Sequence, residues 1–134
     1  MEPLDSLYKY KARILRVVDG DTVKADVDLG LGVFKRTTLR LHHIDAPEVR
    51  GADKKKGKAA TDHLVKLLMR YATNVESGTL KGNTSVIYIE TYKDRTGKYG
   101  RYLAELWGVD SDGSMVNINE QMISDGHAVE RLMN

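Results

Sequence analysis

A chain of 134 residues, 41% of them apolar, has the size of one domain with one hydrophobic core. It contains no cysteine, which excludes disulfides, thiolate-held zinc and iron–sulfur clusters, so any metal must be held by oxygen or imidazole. A formal net charge of +2 and a pI near 8.8 fall short of the excess that marks a protein held on nucleic acid mainly by counterion release, and no apolar run is long enough to cross a bilayer.

The opening residues Met1, Glu2, Pro3, Leu4 and Asp5 lack the basic and then apolar order of a signal peptide, so the expected location is cytoplasmic, with no membrane partner. One domain is expected over residues 1–134, its first six residues disordered. Tyr8 to Val18 reads as a strand, Asp19-Gly20-Asp21 supplies a turn, and Thr22 to Val27 alternates apolar and polar residues, which together predict a hairpin. After a turn at Gly30 and Gly32, Val33 to Ile44 is aliphatic and β-branched, a third strand closed by Pro47, whose nitrogen cannot donate to a ladder. Arg50 to Gly57 is polar and lysine-rich, as a surface loop is. Ala60, Leu64, Leu67, Leu68 and Tyr71 then recur at helical spacing and predict an amphipathic helix from about Lys58 to about Tyr71.

Val86 to Tyr92 and Tyr102 to Val109 form two further predicted strands around the polar stretch Lys93 to Gly100. A short helix runs from Asn117 or Asn119 to Asp125, with Asn117 and Glu120 spaced as a capping box and Gly126 as the stop. Five strands with a helix after the third give an α+β, mainly β fold, an OB-type Greek-key barrel with two helices. That architecture alone assigns no function.

Four polar signatures fall at turns or strand ends: Asp19-Gly20-Asp21-Thr22-Val23, the run from Leu39-Arg40-Leu41 into His43-Ile44-Asp45-Ala46-Pro47-Glu48, the loop Asp94 to Arg101, and Asn119-Glu120. Each alone is explained by an ordinary turn. Together, acids at Asp21, Asp45 and Glu48 and guanidiniums at Arg40 and Arg101 are the groups that phosphodiester cleavage needs. Calcium takes several oxygen ligands, so Asp21 and Asp45 are candidate ligands, with the Ala46 carbonyl and water completing the shell. An EF-hand loop is rejected, since Lys24 stands where that loop requires glycine. Arg40 and Arg101 suit the negative charge that gathers on phosphoryl oxygens, and Glu48 suits a general base acting on water.

The strings Val18-Asp19-Gly20-Asp21-Thr22-Val23-Lys24, Arg40 to Glu48 and Asp94 to Arg101 occur in the order of the signature segments of the staphylococcal nuclease (thermonuclease) family, which the chain resembles. Met115-Val116-Asn117, then Asn119-Glu120 and Gly126, resembles that family's second helix with two residues inserted near Ile118. The resemblance runs from about Lys11 to about Ala128. It implies calcium ligands at Asp21, Asp45 and Ala46, catalytic residues at Arg40, Glu48 and Arg101, and substrate-phosphate contacts at Lys98 and Tyr99. It also implies hydrolysis of DNA and/or RNA at the 5′ oxygen with 3′-phosphate products. Where the family has base-stacking tyrosines this chain has Glu130 and Leu132, and the family's third helix is expected to be missing or nearly so; a monomer is expected, with a dimer as the alternative that the missing helix leaves open.

His42 and His43, read as strand neighbours, are expected to face opposite ways, one packed and one exposed, and so not to share an ion. His63 and His127 read as structural or surface residues, and Trp107 and the strand tyrosines as core or barrel-rim residues. Lys54, Lys55, Lys56 and Lys58 are expected to help hold a polyanion. The rival to a nuclease is a non-catalytic nucleic-acid-binding module on the same barrel, although such modules typically lose the acids or arginines kept here. A purely structural accessory protein is the third reading.

Overall fold

In a computed structural model, residues 8–77, 83–93 and 102–131 are described. The first strand, β1 (Lys9–Asp19), pairs antiparallel with β2 (Thr22–Asp28) through the tight Gly20-Asp21 turn, and β2 pairs antiparallel with β3 (Phe34–Leu41). After α1 (Lys54–Arg70) and β5 (Asn74–Ser77) come β6 (Asn83–Lys93) and β7 (Tyr102–Val109). β7 lies parallel to β3 and antiparallel to β6, and β6 returns antiparallel to β1. The ring β1-β2-β3-β7-β6 is therefore a closed barrel of five strands with no free edge among them.

The barrel fills because alternate residues point inward. Val23, Ala25 and Val27 from β2, Leu39 and Leu41 from β3, Ile87 and Ile89 from β6 and Ala104 and Leu106 from β7 are all buried. In β1 the inward set is Ala12 and Ile14 and then Val17, a change of parity. The register shift between Ile14 and Arg16 causes it: one extra residue lets the strand bend between two neighbours, and it carries the far half of β1 onto the opposite side parity.

Helix α1 begins at Lys54, after a 3₁₀ turn Gly51–Asp53, and not near Lys58 as its apolar spacing predicts. The predicted loop over Arg50 to Gly57 is thus largely helical, because lysines are good helix formers even where no apolar residue marks the period. Its buried face is Gly57, Ala60, Leu64, Leu67 and Leu68, and it packs on β1 and β6. The third strand also differs from its expected span: β3 ends at Leu41, and His42 and His43 form a turn before the two-residue strand β4 (Ile44–Asp45).

Beyond β7, the short strand β8 (Met115–Asn117) leads into α2 (Ile118–Ser124). The Asn117 side chain accepts from the Glu120 N–H at 3.1 Å, the half of the capping box that an asparagine can supply. Gly126, at φ +81°, ends the helix in the left-handed conformation that favours glycine. A last strand, β9 (Val129–Glu130), pairs antiparallel with β4. The pairs β4–β9, β5–β6 and β7–β8 were not foreseen; they are two to four residues long and lack an alternating pattern of useful length. Among the described residues no helix is long and apolar enough to cross a membrane.

Candidate active site

The β1–β2 turn places Asp21 at one end of the barrel. Asp19 Oδ1 accepts from the Asp21 N–H at 3.2 Å, and Gly20 passes against Ala46 and α1, where an added Cβ would lie 2.7 Å from Ala46 Cβ and 2.8 Å from Ala60 Cβ. Asp21 is 8% exposed. Its Oδ1 accepts from Thr22 Oγ1 at 3.0 Å and its Oδ2 from the Ala46 N–H at 2.8 Å. Burial, reinforced by the Asp19 side chain, pushes its pKa up to about 6, against the opposing pull of the Ala46 N–H and Arg40.

β3 brings Arg40 opposite Thr22 in register, and its side chain is buried at 9% exposure. Nη1 donates to the carbonyls of Leu41 at 2.9 Å and Ile44 at 2.8 Å. Nη2 donates to Asp45 Oδ1 and lies 3.4 Å from Asp21 Oδ2. A buried guanidinium thus has partners on both nitrogens, the condition under which burying a charge is tolerable. It ties the β1–β2 turn to Asp45, which follows the end of β3.

Asp45 sits on β4, which is held in place by β9: Ile44 pairs with Glu130, Asp45 with Val129, and the Arg131 N–H donates to the His43 carbonyl at 2.7 Å. Arg131 Nη1 also lies 3.4 Å from Asp45 Oδ1. One nitrogen of Arg40 reaches both Asp21 and Asp45, so the two carboxylates face the same guanidinium. Calcium binds oxygen at about 2.3–2.6 Å, and a buried carboxyl with a raised pKa gains from such a charge. Two carboxylates are oxygen donors of the kind calcium takes, and Asp21 and Asp45 are the side chains that would hold it. Among the described residues no three His, Asp or Glu side chains form a ligand cluster, so carbonyl or water oxygens must supply the remaining positions.

Glu48 follows two residues after Ala46 and is exposed. Among the described residues no hydrogen bond or ion pair joins its side chain to Asp21, Asp45 or Arg40. Its backbone is fixed by Gly57 of α1: a Cβ there would come within 2.0 Å of the Glu48 carbonyl oxygen and 2.3 Å of its carbon. Only glycine lets the strand-to-helix segment lie against α1 so closely. Lys98, Tyr99 and Arg101 lie outside the described residues, as do Leu132 and residues 1–7. Lys54, Lys55, Lys56 and Lys58 are exposed on the first turns of α1.

Sequence reasoning singled out Asp21, Arg40, Asp45 and Ala46, and the structure links them in a chain: Ala46 to Asp21, Asp21 to Arg40 and Arg40 to Asp45. The same reasoning passed over Gly57 and Arg131; a glycine inside a lysine run is the one signal that pointed to the first, and nothing in the local sequence pointed to the second. The histidine pair also differs from expectation. His42 and His43 stand in a turn, His43 has φ +68°, and their ring centroids are 3.6 Å apart, so strand alternation does not separate them. His42 also stacks on Tyr92 at 4.7 Å. His63 stacks on His127 at 4.3 Å and bonds Asp125 at 2.7 Å, a clasp between α1 and the end of α2.

Residues 38–133 match the family described as staphylococcal nuclease homologue. An uncharacterized protein of Methanocaldococcus jannaschii is 28% identical over 93% of this chain and 61% of its own length, so this chain spans less than two thirds of that relative.

Proposed function

The chain belongs to the staphylococcal nuclease homologue family, a nuclease-type or nucleic-acid-binding domain, and on that premise we propose that it is a calcium-dependent phosphodiesterase acting on DNA and/or RNA. It hydrolyses the bond to the 5′ oxygen and leaves 3′-phosphates. The observation that carries this reading is the junction of Asp21, Asp45 and Arg40 at a single guanidinium nitrogen, in contact at 3.4 Å with the first and hydrogen-bonded to the second.

Asp21, Asp45 and the Ala46 carbonyl would hold the cation. Calcium bound there would supply a hard double positive charge that offsets the phosphate's charge and acidifies a nearby water. Glu48 accepts a proton from the attacking water as the new P–O bond forms and the P–O5′ bond breaks, and the departing 5′ oxygen takes up a proton from solvent water to leave as the 5′-hydroxyl. Arg40 and Arg101 donate hydrogen bonds to the phosphoryl oxygens, where negative charge grows. Arg40 is already oriented by the Leu41 and Ile44 carbonyls at 2.9 and 2.8 Å, so little reorganisation is needed. Lys98 and Tyr99 contact a substrate phosphate, and the lysines of α1 attract the polyanion.

The test is a gel in which purified protein meets single-stranded DNA, duplex DNA and RNA, each with calcium or with chelator. Fragments that form only with calcium support the reading. Retarded but intact nucleic acid would make the domain a binding module, and no effect on any polymer would leave it a structural accessory.

A further inference from the structure

Asp45 Oδ1 lies between two guanidiniums. Arg40 reaches it from the barrel side, with a side chain 9% exposed, and Arg131 Nη1 reaches it at 3.4 Å from the solvent side, with a side chain 45% exposed. We propose that Arg131 is a third substrate-binding arginine of the site, which contacts a polynucleotide phosphate at the outer rim beside Asp45 and competes with the divalent cation for that carboxylate when substrate is absent. The inference rests on the reading of this site as a calcium-dependent nuclease centre.

The two arginines differ in how far they can follow a ligand. Arg40 gives both Nη1 hydrogens to backbone carbonyls, so its guanidinium is held in one orientation. Arg131 is fixed at its backbone, whose N–H donates to the His43 carbonyl at 2.7 Å next to the β4–β9 pair, while its long side chain stands half in solvent. Its contact with Asp45 is long and falls on an oxygen that Arg40 already occupies. A phosphate offers a guanidinium two oxygens in a matching plane, so exchange of that contact for a phosphate is favourable. A polynucleotide also carries a phosphate on each side of the scissile one, which a more exposed arginine beside the site can contact.

Arg131→Ala and Arg131→Lys separate this role from a structural one. Calcium is titrated into the protein alone by calorimetry, and binding of a fluorescent single-stranded oligonucleotide is measured by anisotropy in a Glu48→Gln background with saturating calcium, where turnover is suppressed. Loss of the competing cation should tighten calcium binding about threefold, as expected for a partly exposed ion pair. Oligonucleotide affinity should fall about tenfold and its salt dependence should lose the contribution of about one phosphate contact. The lysine variant should restore the salt dependence and part of the affinity. Weaker calcium binding in the alanine variant, or unchanged affinity and salt dependence for DNA in a protein whose wild type binds both ligands, overturns the proposal. A wild type that binds neither calcium nor DNA overturns the nuclease reading, and this inference with it.

Discussion

Replacing Asp21 by asparagine keeps the shape of the side chain and an acceptor for the Ala46 N–H, and removes one charge from a position that is 8% exposed. A carboxyl held near 6 instead of its ordinary 3.8 opposes ionisation at neutral pH by up to about 3 kcal/mol. Part of that gain is returned, because Arg40 loses one of two counter-charges, so Asp21→Asn should stabilise the metal-free protein at pH 7 by about 1–2 kcal/mol. The folded chain holds its Asp21 proton more tightly than the unfolded chain. The wild-type protein therefore has this contribution in full below about pH 4 and loses it as pH rises through about 6. Urea unfolding in chelator should show the variant's advantage near zero at pH 4 and maximal above pH 6. Added calcium should reverse the order at pH 7, since only the wild-type chain keeps both acidic ligands and gains binding free energy. A variant less stable than wild type at pH 7 without metal, by an amount that does not change with pH, would refute this account of the site.

Gly57→Ala places a methyl group 2.0 Å from the Glu48 carbonyl oxygen, so backbone must move; a loss of about 1–2 kcal/mol in urea melts is expected after the gain in helix propensity, with kcat reduced more than KM is raised. Asn119→Ala removes the acceptor of the Leu106 N–H and the donor to the Ala104 and His42 carbonyls, and should cost about 2–4 kcal/mol of unfolding free energy without altering the salt dependence of substrate binding. Alanine at Lys54, Lys55, Lys56 and Lys58 together should raise KM and flatten its salt dependence in steady-state assays. The same change should leave α1 no less stable, because these cations sit at the positive end of its dipole.

The residues that could be read in advance are those whose physics is local. Alternation gave β2 nearly in full and β7 from Tyr102 to Val109, and Asn117 and Gly126 bracket α2 because each satisfies orphan backbone groups within a turn. Asp21, Arg40 and Asp45 were recognisable as types, although their meeting depends on the β2–β3 register and on Arg40 bridging two strand ends. What escaped notice is set by distant partners. The β9 strand is two exposed residues that exist as a strand only because β4 pairs with them, and Arg131 reaches the site only through that pair. The parity change in β1 depends on an extra residue between Ile14 and Arg16 that no local pattern marks. Gly57 looks like an interruption of a lysine run until Glu48 is seen against it.

The central claim, that Asp21 and Asp45 hold the calcium on which cleavage depends, is tested most directly by the initial rate of cleavage of a fluorescent oligonucleotide as free calcium is varied. The account predicts a rate that rises from zero to a single saturation, with Asp45→Asn shifting that curve to far higher calcium or abolishing it. A rate independent of calcium, or a curve that the asparagine variant leaves in place, would contradict it.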